Sequence, residues 1–248
     1  TRPTAHAAAR SGRISVNPEK SVKTSVRTRT PEGVPVKDEQ AVREHYNRGW
    51  ASYLAVAQAA RAAEGPNLAR ILNACMTERL RNKRKQRGRF RPMIGGEPIS
   101  DRVNQACQVA YYTAVVVETL KTHMPAGTER VVEMGSGWGA IVSSLWLGGA
   151  PRDAEYWALE ITEAGREMSN LLSAAEPRFD LRTRAFDYHQ ADFSFLAEPK
   201  KTLVYSIYSI EQITFVQDAL IDRIMAIPGF ERCVHIEPVG WQVDPDAF

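Results

Sequence analysis

The sequence has no long hydrophobic run and few cysteines. None of its 248 residues belongs to an unbroken apolar stretch of about 18 residues, so no membrane-spanning helix is predicted. The 3 cysteines, Cys75, Cys107 and Cys233, lie far apart and lack metal-ligand spacing, which argues against a disulfide scaffold or a zinc site. We predict no metal and interpret the cysteines as buried thiols of a cytoplasmic protein.

The chain also has little net charge, but the charge is unevenly distributed. The formal net charge is +3, whereas residues 1–130 hold 23 Lys or Arg against 11 Asp or Glu, and residues 131–248 hold 9 against 18. Two regions of opposite sign either attract each other in the fold or leave the basic half to meet an anion. The remaining composition, 44% hydrophobic and 25% charged, is typical of a globular protein.

The composition of the N-terminal residues indicates an extended arm rather than a packed domain. Residues 1–30 contain seven basic residues and one acid, Glu19, among many Ser and Thr, a composition typical of a disordered arm or a transit segment. We predict a basic arm over residues 1–37. An isolated polar arm does not order itself, so we expect it to cross to a partner subunit in a homodimer.

A helical section is predicted over residues 38–124. Apolar residues recur at helical spacing until Gly65-Pro66, namely Val42, Tyr46, Trp50, Tyr53, Leu54 and Ala57. A second helix is predicted over residues 67–84, followed by a basic loop over residues 87–98. A third helix is expected to begin near Ser100 or Asp101 and to end by Pro125.

Strands and helices alternate over residues 125–248. We predict strands over residues 130–134, 156–160, 181–186, 202–208 and 232–237, with helices over 140–147, 162–175 and 215–226. This order indicates an α/β fold with a doubly wound, mostly parallel, Rossmann-like sheet.

A glycine loop follows the first of these strands. Gly135, Gly137 and Gly139 stand at alternate positions between the strand and a helix, where glycine lets the backbone approach a ligand closely. The spacing differs from the G-x-G-x-x-G of pyrophosphate loops. The preceding Glu133 would repel phosphate and suits a cationic ligand that bears an amino acid. Glu160, after the second strand, is placed to accept two ribose hydroxyls.

The E-x-G-x-G-x-G motif, with an acid after the next strand, resembles class I S-adenosylmethionine-dependent methyltransferases over roughly residues 100–240. The resemblance implies S-adenosyl-L-methionine as the cofactor, ribose binding by Glu160, and an adenine site edged by Asp187 and Tyr188. The methionine half would be lined by Glu133, Gly135, Gly137, Trp138 and Gly139. The sequence given stops about ten residues after the fifth predicted strand, so the family's closing C-terminal hairpin is expected either to lie beyond this sequence, to be missing or to be supplied otherwise.

The absence of certain motifs limits the chemical classes to which the methyl acceptor can belong. The chain lacks the Asn/Asp-Pro-Pro-aromatic, Pro-Cys and Lys-Asp-Lys-Glu sets of nucleic-acid methylation. Glu211 and Glu237 follow the fourth and fifth strands and are predicted to clamp a cationic acceptor, for which a planar guanidinium is the best geometric match. Tyr208 or His235 would instead be the base for a hydroxyl acceptor. Trp241 is either a wall of the site or part of the core.

The favoured prediction is an enzyme that methylates nitrogen of a small amine or guanidine such as free arginine. Three alternatives stay open: a small-molecule O-methyltransferase, an RNA methyltransferase, and a non-catalytic partner subunit. The RNA alternative rests on the basic run over residues 79–91, which holds eight positive charges in thirteen residues. A solvated helix end explains the same run without nucleic acid.

Overall fold

The computed structural model describes residues 39–85, 93–94, 97–98, 105–213 and 219–237. The predicted basic arm, most of the basic run, the two cap residues Ser100 and Asp101, and Trp241 lie outside these ranges. The side chain of Cys107 also lies outside what is described, whereas Cys75 is buried and Cys233 is partly buried, both as free thiols.

Three helices form the first half of the described chain, as predicted. They are α1 (Glu39–Glu64), α2 (Leu68–Lys85) and α3 (Gln105–His123). Two short strands, β1 (Met93–Ile94) and β2 (Glu97–Pro98), pair antiparallel within the segment predicted as a loop. Gly65 ends α1 with a positive φ of 77°, and its N–H donates to the Arg61 carbonyl.

The second half is a five-stranded parallel sheet. Its strands are β3 (Arg130–Met134), β4 (Glu155–Leu159), β5 (Leu181–Arg184), β6 (Thr202–Ile207) and β7 (Phe230–Ile236), in the spatial order β5-β4-β3-β6-β7. The helices between them are α4 (Ala140–Leu147), α5 (Glu163–Ala174) and α6 (Ala219–Met225). The predicted doubly wound α/β fold is confirmed. Because the chain runs outward on both sides of β3, the order reverses between β3 and β6, where a crevice forms at the carboxyl ends of the strands.

The sheet has an apolar core on each face. Alternate residues of β3 point to opposite faces, so Val131 joins one core while Val132 joins the other. The first core includes residues of α2, α3, α4 and α5, and the second is covered by α6 and by aromatic residues that follow β5. Burial on both faces explains the short apolar runs of the central strands, such as Val131–Val132 in β3 and Leu203–Val204 in β6.

Several predicted boundaries shift by one or two residues, and the ladder explains the shifts at the end of β5 and the start of β7. β5 ends at Arg184 rather than residue 186, because its partner in the ladder is Leu159, the last residue of β4. Phe186 turns into the second core instead. β7 begins at Phe230 rather than residue 232, since Phe230 pairs with Thr202 across a bulge. Thr162, the first residue of the helix predicted over residues 162–175, is the N-cap of α5: its Oγ1 accepts from the Gly165 N–H at 3.3 Å.

A buried ion pair lies at the amino ends of the central strands, away from the crevice. The Arg130 guanidinium on β3 donates to the Glu155 carboxylate on β4, and both side chains are almost fully buried. The Lys200 ammonium donates to the same carboxylate at 2.7 Å. Burial alone would raise the pKa of Glu155, but hydrogen bonds from Lys200 and Arg130 lower it to about 2.

Among the helices that the structure describes, none has the length and apolar character needed to cross a membrane.

Candidate functional site

The glycine loop after β3 is held in a conformation that requires glycine. Gly135 and Gly137 have φ values of 65° and 56°, in the left-handed region. A Cβ on Gly135 would lie 2.5 Å from the Ser209 Cβ, and one on Gly137 would lie 3.0 Å from a ring carbon of Trp50. The loop is therefore pressed between α1 and the turn that follows β6.

The Glu160 carboxylate, at the end of β4, is bonded to this loop. Its Oε2 accepts from the Gly137 N–H at 2.8 Å, and its Oε1 accepts from the Thr162 N–H and Oγ1 at 2.9 and 2.7 Å. Burial raises the pKa of Glu160, while the hydrogen bonds from Thr162 and Gly137 oppose that rise. A carboxylate has about four lone-pair sites, so one remains for a ligand. Glu160 therefore has room to accept a hydrogen bond from one ribose hydroxyl, whereas the sequence predicted two.

Glu133 is a second buried carboxylate beside the loop. Its side chain is 2% exposed, and its Oε2 accepts from the Val142 N–H in the first turn of α4 at 3.1 Å. Burial raises the pKa of Glu133 to about 8, and the hydrogen bond from Val142 works against the rise. A cation bound next to this carboxyl would favour its ionised form.

A cavity of about 750 Å³ opens over the loop. Its lining brings together many of the predicted site residues: Glu133, Gly135, Gly137, Trp138, Glu160, Asp187, Tyr188 and Tyr208. Gly139 instead faces α5, where a Cβ would meet the Ser169 Oγ at 2.6 Å. Glu211, Glu237 and His235 are not part of the lining.

Asp187 and Tyr188, which follow β5, form one end of the cavity. The Asp187 Oδ1 accepts from the His189 N–H at 2.8 Å. The Tyr188 and Ser209 hydroxyls lie 2.6 Å apart, and the Ser209 Oγ donates to the Met134 carbonyl at 3.1 Å. Burial raises the pKa of Tyr188 above its ordinary value, so this hydroxyl stays protonated. It ties the end of β5 to the turn after β6.

Helix α1 supplies an aromatic wall. The rings of Tyr46 and Trp50 stack with centroids 5.5 Å apart, and the ring of Tyr53 stacks on Trp138 at 5.4 Å. The Asn47 Oδ1 accepts from the Ala164 N–H at 3.0 Å and so fixes α1 to the start of α5. Sequence reasoning identified Tyr46, Trp50 and Tyr53 only as an apolar helix face and missed their place in the cavity.

The turn after β6 is organised by Glu237. Tyr208 has a φ of 48°, uncommon for a non-glycine residue, and its ring lies 5.5 Å from that of Tyr112. The Glu237 carboxylate accepts from the Ser206 Oγ at 2.6 Å and from the Ser209 N–H at 3.0 Å. Glu211 is exposed, and its carboxylate accepts from the Gln212 amide at 2.6 Å. Neither Glu211 nor Glu237 lines the cavity, whereas the predicted clamp requires both carboxylates there.

His235 points to the same network rather than to the cavity. Its Nδ1 lies 2.8 Å from the Ser206 Oγ, and its Nε2 lies 3.1 Å from the Cys233 Sγ. Burial lowers the pKa of His235, and the neighbouring Glu237 opposes that change. Burial also raises the pKa of the Cys233 thiol to about 11, so the thiol is protonated at neutral pH.

Arg79 is a cavity residue that sequence reasoning assigned to the surface. It begins the basic run, but it lies in α2 with its side chain half-buried and lines the cavity together with Tyr112. The apolar periodicity of α2 was a usable signal, since Arg79 follows Cys75 by four positions on the buried face. Among the residues that the structure describes, no group of three His, Cys, Asp or Glu could hold a metal ion.

Comparisons with known proteins give weak likenesses. No protein-family model and no curated protein matches the chain. Solved structures do match: the N-terminal domain of EvdMO1 with SAH bound has 17% identity and a TM-score of 0.35, over 54% of each chain. An S-adenosylmethionine-dependent O-methyltransferase from Thermotoga maritima has 13% identity and a TM-score of 0.39, over 66% of this chain and 52% of its own.

A third solved structure is coclaurine N-methyltransferase bound to N-methylheliamine and SAH, with 13% identity and a TM-score of 0.35. That alignment covers 69% of this chain and 55% of the other. The chain thus spans about half the length of these three proteins. Likenesses at this level carry no argument about its activity, which depends on the residues of the site.

Proposed function

We propose that this protein is an S-adenosylmethionine-dependent methyltransferase that acts on a small molecule. The observation that carries the proposal is the hydrogen bond between the Glu160 carboxylate and the Gly137 N–H. It joins the acid after β4 to the glycine loop after β3 at the rim of one large cavity. That cavity lies where the strand order reverses, at the position where open α/β sheets bind ligands.

The residues present fit this cofactor. Gly135 and Gly137 line the cavity, and the direction of a Cβ on each is already occupied by the side chains of Ser209 and Trp50, respectively. The buried Glu133 carboxyl next to the loop would hold the amino group of the methionine half, which is a cation. The free lone-pair site on Glu160 would accept one ribose hydroxyl, and Asp187 would accept from the adenine amine. A phosphate-bearing cofactor fits less well, because Glu133 and Glu160 would repel it.

When bound, S-adenosylmethionine supplies a methyl group on a sulfonium, and the electron pair of the broken carbon–sulfur bond stays on sulfur. The protein's part is to align the acceptor and to exclude water. The aromatic wall of Tyr46, Trp50 and Tyr53 covers the cavity from the side of α1. The Tyr208 turn, held by Glu237, is the element that would position the acceptor against the methyl group.

The favoured acceptor atom is nitrogen of a small amine or guanidine such as free arginine. Aromatic faces and buried carboxyl groups in one cavity favour a cationic ligand. The attacking nitrogen must lose a proton, which passes to water or to a cavity carboxylate. A cytoplasmic location and a homodimer formed through residues 1–37 stay predictions.

The test is transfer of labelled methyl from S-adenosylmethionine to separate acceptor sets. The sets are arginine and other amines, phenols and hydroxylated metabolites, and bulk RNA. Label on the amine set supports the proposal, and label on phenols favours the O-methyltransferase alternative. Label on RNA would overturn the assignment to a small molecule. A failure of S-adenosylhomocysteine to bind in calorimetry would overturn the whole proposal.

A further inference from the structure

The cavity contains a positive charge without a partner. The Arg79 guanidinium forms no ion pair or hydrogen bond with any residue that the structure describes, although it lines the cavity. Its neighbour on the helix, Arg81, is paired with Glu78 at 3.6 Å and is 70% exposed. A half-buried guanidinium gains most from a carboxylate or a similar planar anion, which it can bind through two parallel hydrogen bonds.

A hydroxyl without a partner lies on the same wall. The Tyr112 oxygen is buried and makes no hydrogen bond of normal geometry with a described residue, although the Tyr208 hydroxyl lies near enough to influence it. Burial and the neighbouring Tyr208 raise the pKa of Tyr112 above its ordinary value, and the positive charge of Arg79 opposes that rise. Buried polar atoms are normally satisfied, so an orphaned donor beside an unpaired cation indicates a missing acceptor.

This wall is on the acceptor side of the glycine loop. The Tyr112 ring packs 5.5 Å from that of Tyr208, which follows β6. In the sheet, β6 is on one side of β3, while β4 and β5, which carry Glu160 and Asp187, are on the other. The Tyr112 part of this wall therefore lies toward the β6 side of the cavity, whereas Glu160 and Asp187 follow strands on the other side of β3.

We propose that Arg79 and Tyr112 form a subsite for a carboxylate of the methyl acceptor, so that the acceptor is an amino acid or another small carboxylic acid. This rests on the proposed function and narrows its substrate class. One unpaired guanidinium with one phenol donor matches one monoanionic carboxylate. The remaining groups of the acceptor would extend along the aromatic face toward the glycine loop.

The test compares acceptors with and without a carboxylate. The pairs are arginine and agmatine, histidine and histamine, and tyrosine and tyramine, which differ by that one group. We expect the carboxylate member of at least one pair to bind SAH-loaded protein about tenfold more tightly in calorimetry, or about 1.4 kcal/mol. If that member is also methylated, its KM should be lower by a similar factor.

Variants then locate the subsite. Arg79→Gln should weaken the binding of the acceptor that carries the carboxylate and leave the binding of its decarboxylated partner unchanged. The difference in affinity between the two should then be within about twofold. Tyr112→Phe should reduce it partly, and the matched control Arg81→Gln should leave it unchanged. None of the three should change the affinity for S-adenosylhomocysteine.

The two proposals fail in different ways. If S-adenosylhomocysteine does not bind the wild-type protein, the methyltransferase proposal fails. If it binds but no pair shows a preference for the carboxylate, or if Arg79→Gln keeps the preference, the carboxylate subsite is wrong while the methyltransferase proposal stands.

Discussion

The Trp50 indole on α1 lies directly against Gly137 in the glycine loop. A Cβ added to Gly137 would come within 3.0 Å of the indole Cζ2 and 3.4 Å of its Cε2. The two residues belong to the helical section and to the sheet, respectively. The cavity between these parts therefore depends on their packing, and its geometry is set where the indole meets the loop.

This contact predicts coupling between two substitutions. Gly137→Ala should lower the free energy of unfolding by about 2 kcal/mol, because alanine is strained at a φ of 56° and its methyl group meets the indole. Trp50→Ala removes the contact but not the strain. The double variant should thus lose about 1 kcal/mol less than the sum of the single variants, measured by urea denaturation.

Gly49→Ala is the matched control for this cycle. Gly49 lies in α1, and a Cβ there would have nothing within 4 Å. Alanine should be neutral or stabilise the helix by about 0.5–1 kcal/mol. If the losses of unfolding free energy in Gly137→Ala and Trp50→Ala simply add in the double variant, the indole does not restrict the loop.

The Glu160 carboxylate predicts a loss of cofactor binding. Glu160→Ala removes the acceptor for a ribose hydroxyl and also frees the Gly137 N–H from its 2.8 Å bond. We expect the affinity for S-adenosylhomocysteine to fall at least tenfold in calorimetry, about 1.4 kcal/mol. Glu163→Gln, an exposed acid in the first turn of α5, should bind normally. Unchanged affinity in Glu160→Ala would remove the ribose assignment.

The central strand and its helix could be predicted because their signals are local. The strand over residues 130–134 and the helix over residues 140–147 have the predicted bounds, since an apolar run, a glycine loop and a second apolar run follow one another directly. The parallel order also followed from the alternation of elements. These features need no knowledge of distant contacts.

The cavity wall could not be predicted in the same way. Helical periodicity identifies the apolar face of α1 but not its partner, so Trp50 and Tyr53 were expected in the core without their contact to the loop. Arg79 was grouped with a charged run, although its spacing of four positions from Cys75 on the apolar face of α2 was a signal that it turns inward. Glu237 was placed at the correct strand end, but the Ser206 hydroxyl and the Ser209 N–H orient its carboxylate, and no sequence pattern encodes that contact.

Glu237 is predicted to act by positioning the turn rather than by touching the acceptor. Glu237→Ala should lower kcat at least tenfold, because the Ser209 N–H and Ser206 Oγ lose their acceptor and the Tyr208 turn loosens. Glu237→Gln should retain more turnover, since its amide oxygen still accepts one bond. Affinity for S-adenosylhomocysteine should stay within about twofold in both variants.

Glu211→Gln provides the comparison for Glu237. The Glu211 side chain is exposed, and its bond to the Gln212 amide can be kept by a glutamine oxygen. The kcat of this variant, measured by steady-state kinetics, should therefore differ from that of the wild type by less than threefold. Equal and large losses of kcat in Glu211→Gln and Glu237→Gln would instead restore the pair of carboxylates as a clamp on a cationic acceptor.

Two buried carboxyl groups of the sheet predict opposite effects of pH on stability. The pKa of Glu133 is about 8 when folded, so unfolding releases a proton between its ordinary value of 4.5 and pH 8. The free energy of unfolding should fall as pH rises through that range, by up to about 1.4 kcal/mol per pH unit. Glu133→Gln should reduce this slope, leaving the contribution of Glu160, whose pKa burial also raises. It should also stabilise the protein at pH 8, while weakening S-adenosylhomocysteine binding.

Glu155 should behave in the reverse direction. Its folded pKa is about 2, so its contribution is present above pH 4.5 and is lost as pH falls from 4.5 to 2. Glu155→Gln leaves the buried Arg130 charge without its partner and should lower the free energy of unfolding by about 3–5 kcal/mol at pH 7. The free energy of unfolding of this variant should also change less between pH 4.5 and pH 2 than that of the wild type. Urea denaturation of both variants from pH 3 to pH 9 measures the two slopes. A wild-type stability that does not fall between pH 5 and pH 8, or a Glu133→Gln variant with the same slope as wild type, would show that the Glu133 carboxyl is already ionised in the folded protein.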